Sequence, residues 1–255
     1  MKIVMLADLH GNLPATLAME KHLEKVQPDE IFFLGDAVGK GPSNAETCDW
    51  VRNRCTLCLG GNWDYGIGGK EFPEDGYFWN QLGEERMRWL NTLPREAEIT
   101  LGGVRFRLFH GRPVTPLMQV NDDKELLGRA FHTEKGDFRG VIFADSHRPF
   151  VRSLHDGYII NTGSVGNSLG VNRAHALLVE GEKTDVPARC SSLFSLCPMI
   201  TRPRRTWPWR MTAFPTGTPM SGRSLPAYTA ADPAENSSNP LDKRTQNRYT
   251  VRAVV

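Results

Sequence analysis

Five runs of apolar and β-branched residues have the pattern of buried strands, and each run is followed directly by side chains that can bind metal ions. The runs are Lys2–Ala7, Glu30–Leu34, Cys55–Leu59, Val104–Phe109 and Val141–Ala144. The motifs that follow them, in the same order, are Asp8-Leu9-His10-Gly11-Asn12, Gly35-Asp36, Gly61-Asn62-Trp63-Asp64, His110-Gly111 and Asp145-Ser146-His147. Carboxylate, imidazole and amide groups carried on the ends of successive strands can converge on one point. The sequence therefore predicts a two-metal site.

Each motif taken alone is weak evidence for a metal site. An isolated Asp-x-His is common, and Asn62 could equally cap a helix or form a turn. A lone histidine is more often a hydrogen-bonded structural residue than a ligand. The other histidines follow no comparable strand and receive that structural interpretation: His22, His132, His155 and His175. The combination of ligand types, strand-end positions and order along the chain is what indicates metal binding.

In this order the motifs resemble those of the calcineurin-like metallophosphoesterase superfamily. Two segments, Gly35–Pro42 and Asn161–Gly166, are similar to the small bacterial and archaeal phosphodiesterase branch, and the resemblance runs from Met1 to about Val186. It implies an α/β fold in which a layered β-sandwich is flanked by helices, in four layers. It also implies hydrolysis of phosphodiesters or small phosphate esters by hydroxide activated between two divalent metal ions.

The resemblance assigns a ligand set to each metal ion. The first ion would be held by four residues, which are Asp8, His10, Asp36 and His147. The second ion would share Asp36 and add Asn62 and His110, and these three residues are also the expected catalytic ones. Asp145 stands where the family usually has a histidine that binds the second ion, and its carboxylate can still act as a ligand. Harder oxygen donors favour Mn²⁺, with Fe²⁺, Mg²⁺, Ni²⁺ and Zn²⁺ as alternatives.

Two departures from the family pattern affect the expected activity. An added carboxylate at Asp145 brings the charge of the loaded site close to neutral, so we expect slower turnover or a higher pH optimum. Trp63 replaces a histidine that protonates the leaving group in protein phosphatases, and an indole cannot do this. Trp63 therefore argues against a protein serine/threonine phosphatase. The alternative is a catalytically impaired binding or regulatory module with the same fold. Asp64 is expected to orient a ligand histidine.

The periodicity between these motifs predicts helices and loops. Helical spacing is present in Pro14–Val26, Ser43–Asn53 and Glu84–Leu93, with proline suited to the first turn of the first helix. Long loops that could face substrate are expected over Tyr65–Asn80 and Pro113–Lys135. The aromatic group Tyr77-Phe78-Trp79 is interpreted as anchoring a helix to the core, with base stacking as the alternative.

Composition predicts a cytoplasmic protein, and the resemblance implies a small phosphate ester as its substrate. The 255 residues are 40% hydrophobic, which suits one large α/β domain, and no apolar run approaches the roughly 20 residues of a membrane span. The chain starts directly with a strand, so we expect no signal peptide and no membrane partner. The odd count of 5 cysteines fits a reducing compartment, and Cys55 and Cys58 are interpreted as buried small hydrophobes. A homodimer is compatible with the resemblance.

The composition changes abruptly near residue 188. Residues 188–255 hold 8 of the 17 prolines and carry 10 basic against 3 acidic residues, whereas residues 1–187 carry 21 basic and 26 acidic residues. No helical or strand periodicity is sustained beyond Thr201, so we predict a disordered basic tail. A basic tail can bind nucleic acid, but we do not expect that partner here, because the tail has another explanation.

We interpret the tail as an out-of-frame product that follows a frameshift between about Asp185 and Cys197. Regrouping the codons of Cys197–Asp232 permits Pro-Tyr-Asp-His, a helix-like stretch, a tyrosine-containing end and a stop, which resembles how the family's chains finish. The domain at 1–187 would then lack its native C-terminal strand and helix, leaving a sheet edge exposed, with Ser191–Leu196 as a poor substitute strand. A genuine disordered extension is the alternative, and DNA sequencing of the locus distinguishes the two.

Overall fold

Two five-stranded sheets form the centre of the molecule, in a computed structural model that describes residues 1–115 and 117–181 together with the backbone of 250–254. All of these residues belong to one compact unit. The first sheet has the order β12-β11-β1-β2-β3. Its strands are β1 (Lys2–Leu6), β2 (Glu30–Phe33), β3 (Leu57–Cys58), β11 (Ala176–Glu180) and β12 (Thr250–Val254).

The second sheet has the order β4-β5-β8-β10-β9. Its strands are β4 (Glu96–Leu101), β5 (Val104–Phe109), β8 (Gly140–Phe143), β9 (Phe150–Ser153) and β10 (Tyr158–Asn161). A small hairpin, β6 (His132–Thr133) with β7 (Gly136–Asp137), stands apart. In each sheet the central strands run parallel, as β1 does with β2 and β5 does with β8. Their carboxyl ends therefore lie at the same edge, where ligand sites of α/β proteins usually form.

Within the residues that the structure describes, five α-helices connect or cover these strands. They are α1 (Leu13–Val26), α2 (Asn44–Arg54), α3 (Asn62–Gly68), α4 (Gly76–Thr92) and α5 (Lys124–Gly128). Helix α1 starts where expected, because the Asn12 side chain accepts a hydrogen bond from the Ala15 amide at 3.2 Å and Pro14 occupies the first turn. Ser43 is the N-cap residue of α2 but makes no side-chain hydrogen bond there.

The residues on both faces of β1 are buried, which is the pattern of a strand covered on two sides. Ile3 and Met5 are 2% and 0% exposed, and their neighbours Val4 and Leu6 are 2% and 0% exposed. Val4 and Leu6 belong to a core cluster with residues of α1, α2 and α4, and a second cluster packs α5 and its surroundings against β5, β8 and β10. The predicted fold class, a layered α/β sandwich flanked by helices, is confirmed.

The prediction of a loop over Tyr65–Asn80 is wrong, because α3 and the first turn of α4 occupy most of this segment. Helix α4 continues across a kink at Gly83 (φ 68°, ψ 167°), so the helix predicted at Glu84–Leu93 is only its second half. Glycine residues in this segment interrupt the apolar periodicity that predicts a helix. Phe78 and Trp79 pack against the core while Tyr77 is 57% exposed, which supports the anchoring interpretation for two of the three aromatic residues.

The remaining predicted elements are close to those observed. Strand β3 is shorter than the predicted Cys55–Leu59, since α2 extends to Arg54 and Cys55 ends it. The segment Pro113–Lys135 is partly irregular, as expected, but also contains α5 and the start of the hairpin. Cys55 and Cys58 are free thiols packed against the core, but both are partly rather than fully buried, so the prediction of buried residues is met only in part. No helix in the described part of the chain is long and apolar enough to cross a membrane.

The expectations of an exposed sheet edge and of no strand beyond Thr201 are contradicted. Strand β12 pairs antiparallel with β11 along its whole length, from Ala176 opposite Val254 to Glu180 opposite Thr250. This segment contains three β-branched residues, which favour a strand even in a short run. The suggested strand at Ser191–Leu196 lies outside the described residues.

Candidate metal centre

The loops that follow β1, β2, β5 and β8 bring three histidines and two aspartates together. Asp8 Oδ1 lies 3.6 Å from His10 Nε2 and 3.5 Å from His147 Nε2. Asp36 Oδ2 lies 3.7 Å from His10 Nε2 and 3.3 Å from His110 Nε2. Two groups of ligand atoms are close enough to share an ion, one formed by Asp8, His10 and His147 and the other by Asp8, Asp36 and His110. Both aspartates therefore lie between the two halves of the site.

Several potential metal-ligand atoms of this site are buried and have no hydrogen-bond partner. A bound cation would give these atoms a partner. Both carboxylate oxygens of Asp8, Asn62 Oδ1 and His110 Nε2 make no hydrogen bond although they are shielded from solvent. Leaving such atoms unsatisfied costs about 1–3 kcal/mol each. All four atoms are oxygen or imidazole donors of the kind that bind divalent metals. The residues present therefore fit the pair of metal ions expected from the sequence.

Five of the predicted ligands adopt a left-handed backbone, with φ between 48° and 61°. Non-glycine residues are uncommon in this region, and such strain concentrates at functional sites. Backbone hydrogen bonds between the loops hold it in place, such as Asp8 N to Gly35 O at 2.9 Å and His10 N to Asp36 O at 3.1 Å. The five residues are Asp8, His10, Asp36, Asp145 and His147.

Asp36 is held by a set of hydrogen bonds that the sequence did not predict. Asp64, which is fully buried, accepts from the amides of Asp36 at 2.7 Å, Ala37 at 2.9 Å and Gly61 at 3.0 Å. The Trp63 amide donates to Asp36 Oδ1 at 2.9 Å. The expectation that Asp64 orients a ligand histidine is therefore wrong: Asp64 orients the backbone of the loop that carries Asp36. Burial and the charge of Asp36 raise the pKa of Asp64 to about 7.

Backbone carbonyls determine which nitrogen each histidine presents to the site. Nδ1 of His10 lies 3.2 Å from Val38 O, and Nδ1 of His110 lies 2.8 Å from Leu34 O. Nδ1 of His147 contacts Asn167 O in the same way. Since a carbonyl oxygen can only accept, each Nδ1 carries a proton and each Nε2 faces the site as a potential metal ligand.

Burial and neighbouring charges separate the histidines into two kinds. Burial lowers the pKa of His10 to about 3 and also lowers the pKa of His147, so both are neutral near pH 7. Burial opposes protonation of His110 too, but the charge of Asp36, whose Oδ2 lies 3.3 Å from Nε2, outweighs it together with the charges of Asp8 and Asp145 and raises the pKa of His110 to about 10. Burial disfavours the charged form of Asp36, yet His110 outweighs that effect and lowers the pKa of Asp36 to about 2.

Asp145 faces the site from its edge and is paired with an arginine. Its Oδ1 lies 3.9 Å from His110 Nε2 and 3.2 Å from Arg112 Nη2, and its Oδ2 accepts from Arg112 Nε at 3.3 Å. The Asn161 side chain supports the turn by donating to Ala144 O at 2.6 Å. The guanidinium offsets part of the negative charge that Asp145 adds, although Arg112 is 53% exposed and solvent screens the pair. The assignment of Asp145 as a metal ligand stays a prediction.

Lys40 contacts a ligand histidine, and this contact could not be predicted from the sequence. It lies in the Gly35–Pro42 segment, and its ammonium reaches to 3.0 Å from His10 Nε2 and 5.2 Å from the centre of the Trp63 ring. Burial lowers the pKa of Lys40, while the charges of Asp36, Asp8 and Asp145 act in the opposite direction. Its position beside a metal motif was a signal in the sequence, but its contact with a ligand histidine required the folded loop.

Comparison with known proteins agrees with this geometry. The family model of the calcineurin-like phosphoesterase superfamily domain matches residues 1–184. The uncharacterized protein MJ0912 of Methanocaldococcus jannaschii is 31% identical over 198 residues, which cover 68% of this chain and 79% of that protein. The chain therefore belongs to the calcineurin-like phosphoesterase superfamily, a family of metal-dependent phosphoesterases.

Solved structures of similar fold include one from Sphaerobacter thermophilus and one from Pyrococcus horikoshii. A metallophosphoesterase from Sphaerobacter thermophilus has a TM-score of 0.57 at 25% identity, with 70% of this chain and 82% of that chain covered. The hypothetical protein PH1004 from Pyrococcus horikoshii has a TM-score of 0.61 at 20% identity, with 70% and 83% covered. At that identity the second likeness concerns the fold alone.

Proposed function

We propose that this protein hydrolyses phosphodiesters or small phosphate esters with two divalent metal ions bound between the loops that follow β1, β2, β3, β5 and β8. Family membership supports a metal-dependent phosphoesterase. The single observation that carries the dinuclear proposal is the set of buried, unpartnered ligand atoms, Asp8 Oδ1 and Oδ2, Asn62 Oδ1 and His110 Nε2, on segments that each contact the Asp36 loop. A site with only structural duties would pair such acceptor atoms with hydrogen-bond donors.

The residues divide between the two ions according to their distances. Asp8, His10 and His147 would hold the first ion, and Asp36 would contact both ions because its Oδ2 lies between His10 and His110. Asn62 Oδ1 and His110 Nε2 would complete the second position. Asp145, whose Oδ1 lies 3.9 Å from His110 Nε2, is its remaining candidate ligand.

Two bound divalent ions would activate water near neutral pH and neutralise charge on the phosphoryl oxygens. The chain's own contribution is to position the donors and the substrate. Asp64 and the Trp63 amide fix Asp36 in place, and the three carbonyl contacts turn each histidine toward the site. Arg112, half exposed at the edge, is placed to meet an incoming phosphate anion.

The surroundings of the site favour esters with good leaving groups. The Trp63 ring stands edge-on to His10 at 5.9 Å between ring centres, and indole cannot donate a proton to a leaving alkoxide. This supports small phosphodiesters rather than phosphoserine or phosphothreonine in proteins. Mixed oxygen and imidazole donors favour Mn²⁺, with Fe²⁺, Mg²⁺, Ni²⁺ and Zn²⁺ as the metals to compare.

The test is metal content and hydrolysis of bis-p-nitrophenyl phosphate with Mn²⁺, comparing the wild type with Asp36→Asn. We expect about two metal ions per chain and a loss of activity of at least roughly 100-fold in the variant, because the shared ligand loses its charge. Asp137→Asn is the matched control, since Asp137 is 73% exposed and pairs with His132 outside the site. An Asp36→Asn variant that keeps full activity would contradict the proposal.

A second candidate function is a phosphate-ester binding module with little turnover. Asp145 and Trp63 favour it, because an added carboxylate makes a metal-bound water less acidic and an indole cannot protonate a leaving group, so hydrolysis would be impaired. Stoichiometric metal and tight phosphate-ester binding without hydrolysis of any tested diester is the result that would identify this alternative.

A further inference from the structure

His10 and His147 lie at one end of the site, and each directs a nitrogen lone pair toward the other. Both lone pairs need a hydrogen-bond donor or a cation, and one such group can serve both. His10 Nε2 and His147 Nε2 lie 3.2 Å apart. Each ring has its Nδ1 proton directed at a carbonyl oxygen, of Val38 and Asn167 respectively, so each Nε2 is an acceptor. Two acceptors this close repel each other unless a donor or a cation lies between them.

Lys40 supplies that partner in the structure. Its Nζ lies 3.0 Å from His10 Nε2 and 3.5 Å from His147 Nε2. An ammonium carries three donors and no acceptor, so it can satisfy both nitrogens at once. The same two nitrogens, with Asp8 Oδ1 at 3.6 and 3.5 Å from them, form one of the two groups able to hold a metal ion.

The loop holds the backbone of Lys40 close to the two histidines, and the side chain remains free to move away from them. The backbone is fixed on both sides, by Gly39 N donating to Asn44 Oδ1 at 2.6 Å and by Gly41 N donating to His10 O at 2.8 Å. Lys40 itself has a left-handed backbone, with φ 63°, and is exposed overall although its ammonium points inward. A flexible stem on a rigid loop can move its charged end between the site and solvent at little cost.

We propose that Lys40 is a tethered competitor for the divalent cation at the His10–His147 end of the site: its ammonium and the metal ion use the same nitrogen lone pairs and bind there alternately. Lys40 thereby neutralises this end of the site when the metal is absent and raises the metal concentration needed to fill it. The inference rests on the metal site of the proposed function but does not depend on turnover.

The experiment is calorimetric titration of the chelator-treated, full-length protein with Mn²⁺, comparing the wild type with Lys40→Met, which keeps the length of the stem and removes the charge. We expect the variant to bind Mn²⁺ about tenfold more tightly at one position. The melting temperature of the chelated variant should fall by about 2–4 °C, because the histidine lone pairs lose their partner.

Lys70→Met is the matched control, because Lys70 also has a positive φ, of 54°, and an ammonium over a tryptophan ring, 5.9 Å from the centre of Trp79. Lys70→Met should leave the Mn²⁺ affinity unchanged, and it should not change the melting temperature by removing a partner of His10 and His147. The titrations are repeated in high salt, since simple repulsion at a distance is screened by salt whereas competition at contact is not.

The outcomes separate this inference from the proposed function. Equal Mn²⁺ affinity in the wild type and Lys40→Met, or a gain that disappears in high salt, overturns the competition while leaving the metal site intact. A salt-resistant gain without any hydrolysis supports the competition and counts against the phosphoesterase activity. Absence of Mn²⁺ binding in both proteins overturns both proposals.

Discussion

At the scale of single residues, Asp145 is the predicted metal ligand that we expect to limit activity. Replacing Asp145 by histidine removes a negative charge beside His110 and releases Arg112 from its ion pair. We expect turnover to rise by about three- to tenfold, which corresponds to roughly 1 kcal/mol of barrier. We also expect a lower pH optimum, because a more positive site favours loss of a proton from bound water.

The pH–rate profile of bis-p-nitrophenyl phosphate hydrolysis measures both effects. Asp137→His makes the same change of side chain at an exposed position outside the site and should leave the profile unchanged. Identical rates and profiles for Asp145→His and the wild type would show that Asp145 does not limit catalysis.

The sequence predicted the identity of the site residues better than their supporting contacts. Asp8, Asp36 and His110 could be found from the strand-end pattern, because the local sequence determines where each strand stops. The roles of Asp64 and Lys40 could not, since both depend on how loops 27 to 107 residues apart fit together. Nothing in a single motif indicates such a contact.

At the scale of elements, the close approach of the α3 N-terminus to the loop after β2 determines the position of Asp36. Gly61 has no positive φ, but a Cβ there would overlap Asp36 Oδ1 and lie 2.7 Å from the Asp36 amide. We therefore expect Gly61→Ala to displace Asp36, lowering activity by roughly 100-fold and stability by about 1–3 kcal/mol. Metal content, hydrolysis and urea unfolding measure these effects.

Gly66→Ala provides the comparison within the same helix. A Cβ at Gly66 would lie 3.4 Å from the Phe72 ring, an ordinary contact, and alanine favours a helix interior over glycine. This variant should keep its metal and its activity. If Gly61→Ala behaves like Gly66→Ala, the close approach of the two loops does not control the site.

At the scale of the whole molecule, the pairing of β12 with β11 connects the last residues of the chain to the first sheet. Ending the chain after Tyr249 would remove β12 and leave the outer edge of β11 unpaired. We expect a melting temperature lower by about 2–4 °C or more and greater aggregation, because an unpaired edge can join other chains. Differential scanning calorimetry and light scattering measure the two effects.

Deleting Val255 alone is the control, since that residue lies beyond β12. Equal melting and equal dispersity of the two shortened chains would argue against a stabilising role for the last strand. The interpretation of residues 188–255 as an out-of-frame segment stays a prediction, and sequencing the locus tests it whatever the role of β12.

The sequence by itself determined five of the strands, three of the helices, the family and the set of candidate ligands, because these depend on short-range periodicity and on residue types at strand ends. Only the tertiary structure decided that Asp64 holds the Asp36 loop, that Lys40 reaches two ligand histidines, and that β12 closes the edge of β11. These contacts join segments distant in sequence, and their free energy depends on the packing of the whole fold rather than on any local pattern.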